Sequence, residues 1–175
     1  MIDEQVLLKA GCSPEVIAHC RTVSRTALSL AERISIPVDR ELVRQGGLIH
    51  DIGRSRTHGI AHAIAGVEIA REFGLPQAVI DIIECHIGAG IPADEARMLG
   101  LPEKDYLPET PEQKIVSYAD NLVSGIHEMT FSEALERFLK ILGHGHPGVK
   151  RFRKQHEEIQ IWMGLDGTSE QGGAR

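Results

Sequence analysis

The sequence has few cysteines, few aromatic residues and no long apolar run. Its three cysteines, Cys12, Cys20 and Cys85, form no Cys-x-x-Cys pair, so neither a disulfide framework nor a cysteine-rich zinc site is expected. No apolar stretch approaches the roughly 18 residues that a membrane-spanning helix requires, and residues 1–10 do not have the layout of a signal peptide. These absences predict a cytoplasmic protein that does not cross a membrane.

The sequence also has no excess of basic residues. The 25 Asp and Glu residues outnumber the 19 Lys and Arg residues, which gives a net charge of −6 and a pI of about 5.8. Proteins that hold nucleic acid mainly through its phosphates present a basic surface. We therefore expect a small or locally docked substrate, and nucleic acid is not an expected partner. No feature of the sequence indicates an oligomeric state.

The chain does contain enough apolar material for one domain, and it is rich in histidine. Of its 175 residues, 42% are hydrophobic and nine are His, and a chain of this length buries about two thirds of its unfolded surface. Apolar residues recur at steps of three and four, as in the stripe from Val16 to Ile34, which Ser13 and Pro14 begin as helix N-cap and first residue. No strand alternation lasts longer than four residues. The predicted fold class is an all-α, single-domain helical bundle.

Glycines mark two features of the predicted helices. Gly46 and Gly47 lie inside a helix, where each costs roughly 1 kcal/mol relative to Ala, so another backbone is expected to approach closely there. Gly53 is predicted to end that helix in a left-handed conformation. Residues 88–109 are rich in Gly and Pro and are expected to form a long irregular crossing with one helical turn at 94–99, which is typical of a functional or mobile loop.

Four ionisable side chains lie at helix ends or beside apolar stripes, where the pattern predicts contact with the core. They are His19, His50, Asp51 and Asp120. Burial of such groups costs several kcal/mol unless they are paired or bind a metal ion. A metal ion shared by the four side chains satisfies all of them.

In this order the four residues resemble the motif of the HD-domain superfamily of metal-dependent phosphohydrolases, and the resemblance covers about residues 16–123. The matching segments read Val-Ile-Ala-His19-Cys, Gly-Leu-Ile-His50-Asp51-Ile-Gly-Arg54 and Val-Ser-Tyr-Ala-Asp120-Asn-Leu. Two more segments, around His62 and His86, are similar to the additional His elements of the dinuclear branch, and most of all to bacterial hydrolases of symmetrical diadenosine tetraphosphate. The HD domain is expected to span residues 1–163, followed by a flexible, Gly-rich tail at 164–175.

The resemblance implies two divalent transition-metal ions. One is assigned to His19, His50, Asp51 and Asp120, and the second to His62 and His86, with Asp51 bridging. Imidazole and carboxylate ligands suit Fe, Mn, Co, Ni or Zn, with Fe favoured. A hydroxide shared by the two ions is implied as the nucleophile that attacks phosphorus, so Asp51 is expected to take part in catalysis.

Several neighbouring residues have two interpretations. Arg54 is expected to grip a substrate phosphate through two parallel hydrogen bonds, but it could instead satisfy a helix C-terminus. Arg56 is an open candidate for the same task. His58 lies four residues before His62 and could reach the same site, although Gly66 follows His62 in the register of the resembling element. A solvated loop is the favoured interpretation of the pair His144 and His146.

These observations predict an enzyme that cleaves a phosphoester or phosphoanhydride bond of a nucleotide or another small phosphorylated molecule. Two alternatives stay open. Some HD-fold proteins use a comparable six-ligand di-iron site to activate oxygen, and a non-catalytic nucleotide-binding regulatory module would keep the metals for stability. The identity of the substrate and the role of residues 88–109 are not determined by the sequence.

Overall fold

The computed structural model describes residues 2–165, and nine α-helices make up most of this part of the chain. The helices are Glu4–Ala10 (α1), Pro14–Arg33 (α2), Arg40–Ile49 (α3), His62–Glu72 (α4), Gln77–Cys85 (α5), Ala93–Met98 (α6), Pro111–Asn121 (α7), Phe131–Leu142 (α8) and Pro147–Trp162 (α9). A 3-10 helix, Ile52–Ser55, follows α3, and a short antiparallel hairpin pairs Val123–Ser124 (β1) with His127–Glu128 (β2). The all-α, single-domain fold predicted from the sequence is confirmed.

Local capping signals explain where the helices begin. The Ser13 hydroxyl accepts a hydrogen bond from the backbone N–H of Val16, and Pro14 is the first residue of α2. Thr110 and Gln113 form a reciprocal capping box at the start of α7. Because these interactions join residues three positions apart, the sequence alone predicts them.

Helix α3 lies tightly between α2 and α5 at the two glycines inside it. A methyl group on Gly47 would lie 2.8 Å from the Cα of Ser24 in α2, and one on Gly46 would lie 2.5 Å from Cδ1 of Ile82 in α5. These distances leave no room for a side chain. The predicted approach of another backbone is confirmed at Gly47, whereas at Gly46 the neighbour is the side chain of Ile82; together they fix the end of α3 relative to α2 and α5.

The prediction for Gly53 is wrong. Helix α3 ends at Ile49, and Gly53 belongs to the 3-10 helix, outside the set of glycines with positive φ. Its lack of a side chain has a different cause, because a methyl group there would lie 1.9 Å from the backbone oxygen of His62 and 2.5 Å from the backbone nitrogen of Gly66. Gly53 therefore lets α4 approach the segment that carries Asp51.

The hairpin was not predicted, since two residues per strand are too few to show an alternation of apolar and polar side chains. Its turn contains Gly125, which has a φ of 61°. Among the described residues, no helix is both long and apolar enough to cross a membrane. Most of the predicted tail, 166–175, lies outside the described residues, and the domain boundary at 163 stays a prediction.

Candidate metal centre

The helices bring six ionisable side chains to one place in the interior. His19 comes from the first half of α2, His50 and Asp51 follow α3, His62 begins α4, His86 follows α5, and Asp120 lies near the end of α7. Asp51, His50 and His86 are at most 2% exposed, while His19 and Asp120 reach the surface with about a fifth of their side chains. Residues that are up to 101 positions apart in the chain therefore share one site.

Four of the side chains form a first group. His19 Nε2 lies 3.0 Å and His50 Nε2 lies 3.4 Å from Oδ1 of Asp120. The same two nitrogen atoms both lie 3.7 Å from Oδ2 of Asp51. Metal bonds of about 2.1 Å at right or tetrahedral angles place ligand atoms about 3.0 to 3.4 Å apart. The two contacts to Asp120 lie within this range and the two to Asp51 lie beyond it, so the four side chains surround one position for a cation without being at ligand spacing throughout.

A second group lies on the other oxygen of Asp51. His62 Nε2 is 3.0 Å and His86 Nε2 is 3.5 Å from Oδ1 of Asp51, and the two nitrogen atoms are 2.9 Å apart. These three atoms fit the ligands of a second cation. Because Asp51 presents one oxygen to each group, it stands where a bridging carboxylate would.

Backbone carbonyl groups hold all four imidazoles with Nε2 pointing inward. The Nδ1 atoms of His19, His50, His62 and His86 lie 2.7 to 2.8 Å from the carbonyl oxygens of Gly125, Gly47, Gly59 and Ile83, respectively. A carbonyl oxygen only accepts, so each Nδ1 carries the proton. In a neutral ring, Nε2 then offers a lone pair, which is the arrangement that outer hydrogen bonds impose on metal ligands.

The inward-facing atoms lack the hydrogen bonds that buried polar atoms normally have. His50 Nε2 and Asp51 Oδ1 are buried without a hydrogen-bond partner. The short contact between His62 Nε2 and His86 Nε2 joins two acceptors when both rings are neutral. Such atoms are costly to bury unless a cation or a proton lies between them. The donor set therefore fits divalent cations that accept nitrogen and oxygen ligands.

The charges of the site favour a bound cation. Burial opposes ionisation of Asp51 and Asp120, but the neighbouring His side chains hold the pKa of both carboxyl groups well below the usual range. Burial also lowers the pKa of His86, so that its imidazole is neutral at pH 7. The two carboxylates therefore attract divalent cations, and His86 can offer a nitrogen lone pair without first losing a proton.

Metal binding is expected to strengthen as the pH rises toward about 9. Burial lowers the pKa of His50, but the carboxylates of Asp51 and Asp120 outweigh this effect and raise the pKa to about 9. His50 in the metal-free protein therefore keeps a proton at neutral pH, and the cation must displace it. Each displaced proton lowers the affinity about tenfold per pH unit below that pKa. Titrations with Mn²⁺ between pH 6 and 9 measure the slope, and a constant affinity would contradict the ligand set.

A cavity of about 480 Å³ opens at the first group. Its walls include His19, Asp51, Arg54 and His58. Nε of Arg54 donates to Oδ2 of Asp51 at 2.5 Å, and Nη1 donates to the backbone oxygen of His58 at 3.3 Å. Arg54 therefore lies at the wall of the cavity beside the metal ligands, and its grip on a phosphate stays a prediction.

The remaining candidates fall outside the two groups. His58 is exposed at the cavity, whereas His62 lies in the second group with Asp51 and His86. Arg56 pairs with Glu68 and Glu72 of α4 at 3.2 and 2.7 Å. His146 accepts a hydrogen bond from the backbone of Gly148 and so caps α9.

Sequence reasoning did not find the carbonyl groups that orient the imidazoles. Three of them belong to residues three positions before the His they bind, which is a helical spacing. The fourth belongs to Gly125 in the unpredicted hairpin, 106 residues from His19. A Ser-Gly turn signal at 124–125 was the available clue.

Among known proteins, the chain is similar to an uncharacterized protein of Methanocaldococcus jannaschii, with 51% identity over 87% of this chain and 92% of that protein. It is 43% identical to the tRNA (cytidine(56)-2'-O)-methyltransferase of Picrophilus torridus over 92% of this chain, but it spans only 46% of that enzyme. It is also 32% identical to Ribonuclease Y of Pseudothermotoga lettingae over 86% of this chain and 26% of that protein.

The fold is similar to that of a solved bacterial domain. The HD domain of the phosphodiesterase PgpH of L. monocytogenes, in complex with cyclic-di-AMP, matches with a TM-score of 0.54 and 22% identity, and covers 97% of this chain and 99% of that domain. The model of the family described as HD domain matches residues 16–125. This range contains all six clustered side chains, and the chain therefore belongs to the HD domain family.

Proposed function

We propose that the chain is a metal-dependent phosphohydrolase that cleaves a phosphoester or phosphoanhydride bond in a nucleotide or another small phosphorylated molecule. The observation that carries the proposal is the division of six side chains into two groups on the two oxygens of Asp51. Membership of the HD domain family supports a hydrolase that uses divalent metal ions.

Two ions are proposed, with Fe favoured over Mn, Co, Ni and Zn. His19, His50, Asp51 and Asp120 would hold one, and His62, His86 and Asp51 the other. Bound ions of this kind supply a water-derived nucleophile near neutral pH and neutralise phosphate oxygens. The absence of thiolates from the two groups supports an ion that accepts nitrogen and oxygen ligands.

The chain itself positions the reaction. The carbonyl bonds to the four imidazoles fix the rings before a substrate arrives, so little reorganisation is needed. Arg54 adds a positive charge at the wall of the cavity, close to Asp51. A guanidinium there is suited to phosphate oxygens, because its N–H groups can contact two oxygens together.

A small substrate is supported by the cavity of about 480 Å³ and by the net charge of −6. The name Ribonuclease Y adds RNA to the substrates to test, and the complex of the PgpH phosphodiesterase domain with cyclic-di-AMP adds cyclic dinucleotides. The methyltransferase activity in the other name belongs to a protein about twice as long. A preference for symmetrical diadenosine tetraphosphate rests on the sequence motifs alone.

Metal analysis followed by a substrate panel tests the proposal. Anaerobically purified protein is expected to contain about two ions per chain and to release products from at least one nucleotide, dinucleoside polyphosphate, cyclic dinucleotide or short RNA. His62→Ala should lose one ion and the activity, whereas the exposed His144→Ala should retain both.

The alternatives predict other outcomes for the same protein. Oxygen consumption under reducing conditions without phosphate release would indicate a di-iron oxygenase. Full metal content and nucleotide binding without turnover would indicate a regulatory module. Either result would overturn the proposal.

A further inference from the structure

A second cavity of about 250 Å³ lies beside the irregular crossing and is separate from the one at the first group of ligands. Its walls are mainly apolar and include Ile60, Ile87, Leu99, Phe138 and Leu142. The ring of Phe138 is fixed, because it stacks on Phe152 with ring centroids 4.3 Å apart. Leu99 is 49% exposed and Leu142 is 38% exposed, so apolar surface at the rim contacts water when the cavity is open.

The segments that carry the second group of ligands also form walls of this cavity. Ile87 directly follows His86, and Ile60 lies two residues before His62. The loop at 57–61 borders both cavities, because His58 lines the cavity of the metal centre and Ile60 lines the apolar one. The two cavities therefore share the 57–61 loop as a wall.

Three polar side chains interrupt the apolar walls: His146, whose ring caps α9, and the pair Arg151 and Glu95. Arg151 of α9 makes two hydrogen bonds to the carboxylate of Glu95 in α6, at 2.9 and 2.5 Å, and a third to the backbone oxygen of Gly90 at 3.2 Å. A guanidinium has five N–H groups, so two of them remain for a ligand. The Glu95 oxygens keep lone pairs that can accept, and both side chains line the cavity.

We propose that this cavity binds the heterocyclic base of the nucleotide substrate. An aromatic base has two apolar faces, which the Phe138 ring and the aliphatic side chains can cover, and a polar edge that donates and accepts hydrogen bonds. The pair of Arg151 and Glu95 offers the matching acceptors and donors. A sugar phosphate or a polyphosphate has no flat apolar surface and gains nothing from such walls. The inference rests on the proposed function and assigns the specificity of that activity to this cavity.

The test separates base binding from hydrolysis. Adenosine and guanosine are titrated by calorimetry into the metal-loaded full chain, which cannot hydrolyse them because they contain no phosphate; ribose 5-phosphate serves as the base-free probe. The variants Leu142→Trp and Leu99→Trp enlarge side chains at the rim. Ile141→Trp is the matched control, since Ile141 is 72% exposed and does not line the cavity.

At least one nucleoside is expected to bind the parent, and both rim variants should weaken this binding by at least about tenfold, because the larger indole ring occupies space in the cavity that the base would fill. Ile141→Trp should bind like the parent. With a hydrolysed nucleotide, the rim variants should raise KM and leave the hydrolysis of tripolyphosphate unchanged.

Three results would overturn the inference: no nucleoside binding by the parent, equal binding by the parent and the rim variants, or self-association of the parent that Leu142→Trp abolishes. If no phosphate compound is hydrolysed, the proposed function fails, but the nucleoside titration still decides the role of the cavity.

Discussion

Asp51→Asn is expected to remove both metal ions and to lower hydrolysis by at least about 10³-fold, because lost electrostatic stabilisation of this kind is among the largest single effects in catalysis. Oδ1 of Asp51 faces His62 and His86, and Oδ2 faces His19 and His50. The amide keeps one neutral oxygen and turns an NH₂ group toward one set of imidazoles. One substitution therefore damages both groups of ligands.

Metal analysis and phosphate release measure this effect, with circular dichroism to confirm that the variant folds. Asp94→Asn is a suitable control, because Asp94 is exposed in the first turn of α6. The substitution removes the same charge at a position outside the site. His62→Ala gives the contrasting case, because it affects only the second group. If Asp51→Asn retained one ion per chain, Asp51 would not join the two groups.

Arg54→Ala is expected to lower kcat/KM by about 10² to 10³, because the variant loses a preorganised contact to the phosphate. The metal content should stay near the parental value, because Arg54 is not a metal ligand. Arg54→Lys should fall between Ala and the parent, since Lys keeps the charge but not the planar, two-pronged contact. The short bond from Nε of Arg54 to Asp51 adds a second route, in which Arg54 positions the carboxylate.

The two roles of Arg54, phosphate binding and positioning of Asp51, can be separated by measuring KM and metal affinity. Loss of phosphate binding raises KM with metal content unchanged, whereas loss of Asp51 positioning lowers the metal affinity as well. Arg56→Ala is the matched control, because Arg56 is paired with Glu68 and Glu72 on α4 and should have the parental rate. A parental rate and affinity for Arg54→Ala would reduce Arg54 to a structural role and move the search for the phosphate contact to His58.

The sequence determined the features that depend on neighbours within one or two helical turns. The cap at Ser13, the capping box at Thr110 and the apolar stripe of α2 each involve residues three or four positions apart, so their pattern is visible in the chain. The ordered set of His and Asp residues was also visible, because ionisable groups at core-facing positions need partners, and the resemblance supplied their grouping. How these residues hold metal stays a prediction.

Tertiary structure decided the features that depend on how separate helices and loops pack against one another. The carbonyl of Gly125 reaches His19 across 106 residues of the chain, and the contact of Gly53 with α4, although close in sequence, depends on how that helix packs; no local pattern encodes either. The walls of the apolar cavity likewise follow from how α6, α8 and α9 pack. The physical reason is that hydrogen bonding and helical periodicity act within a few residues, whereas the position of a side chain in space is set by the packing of whole helices.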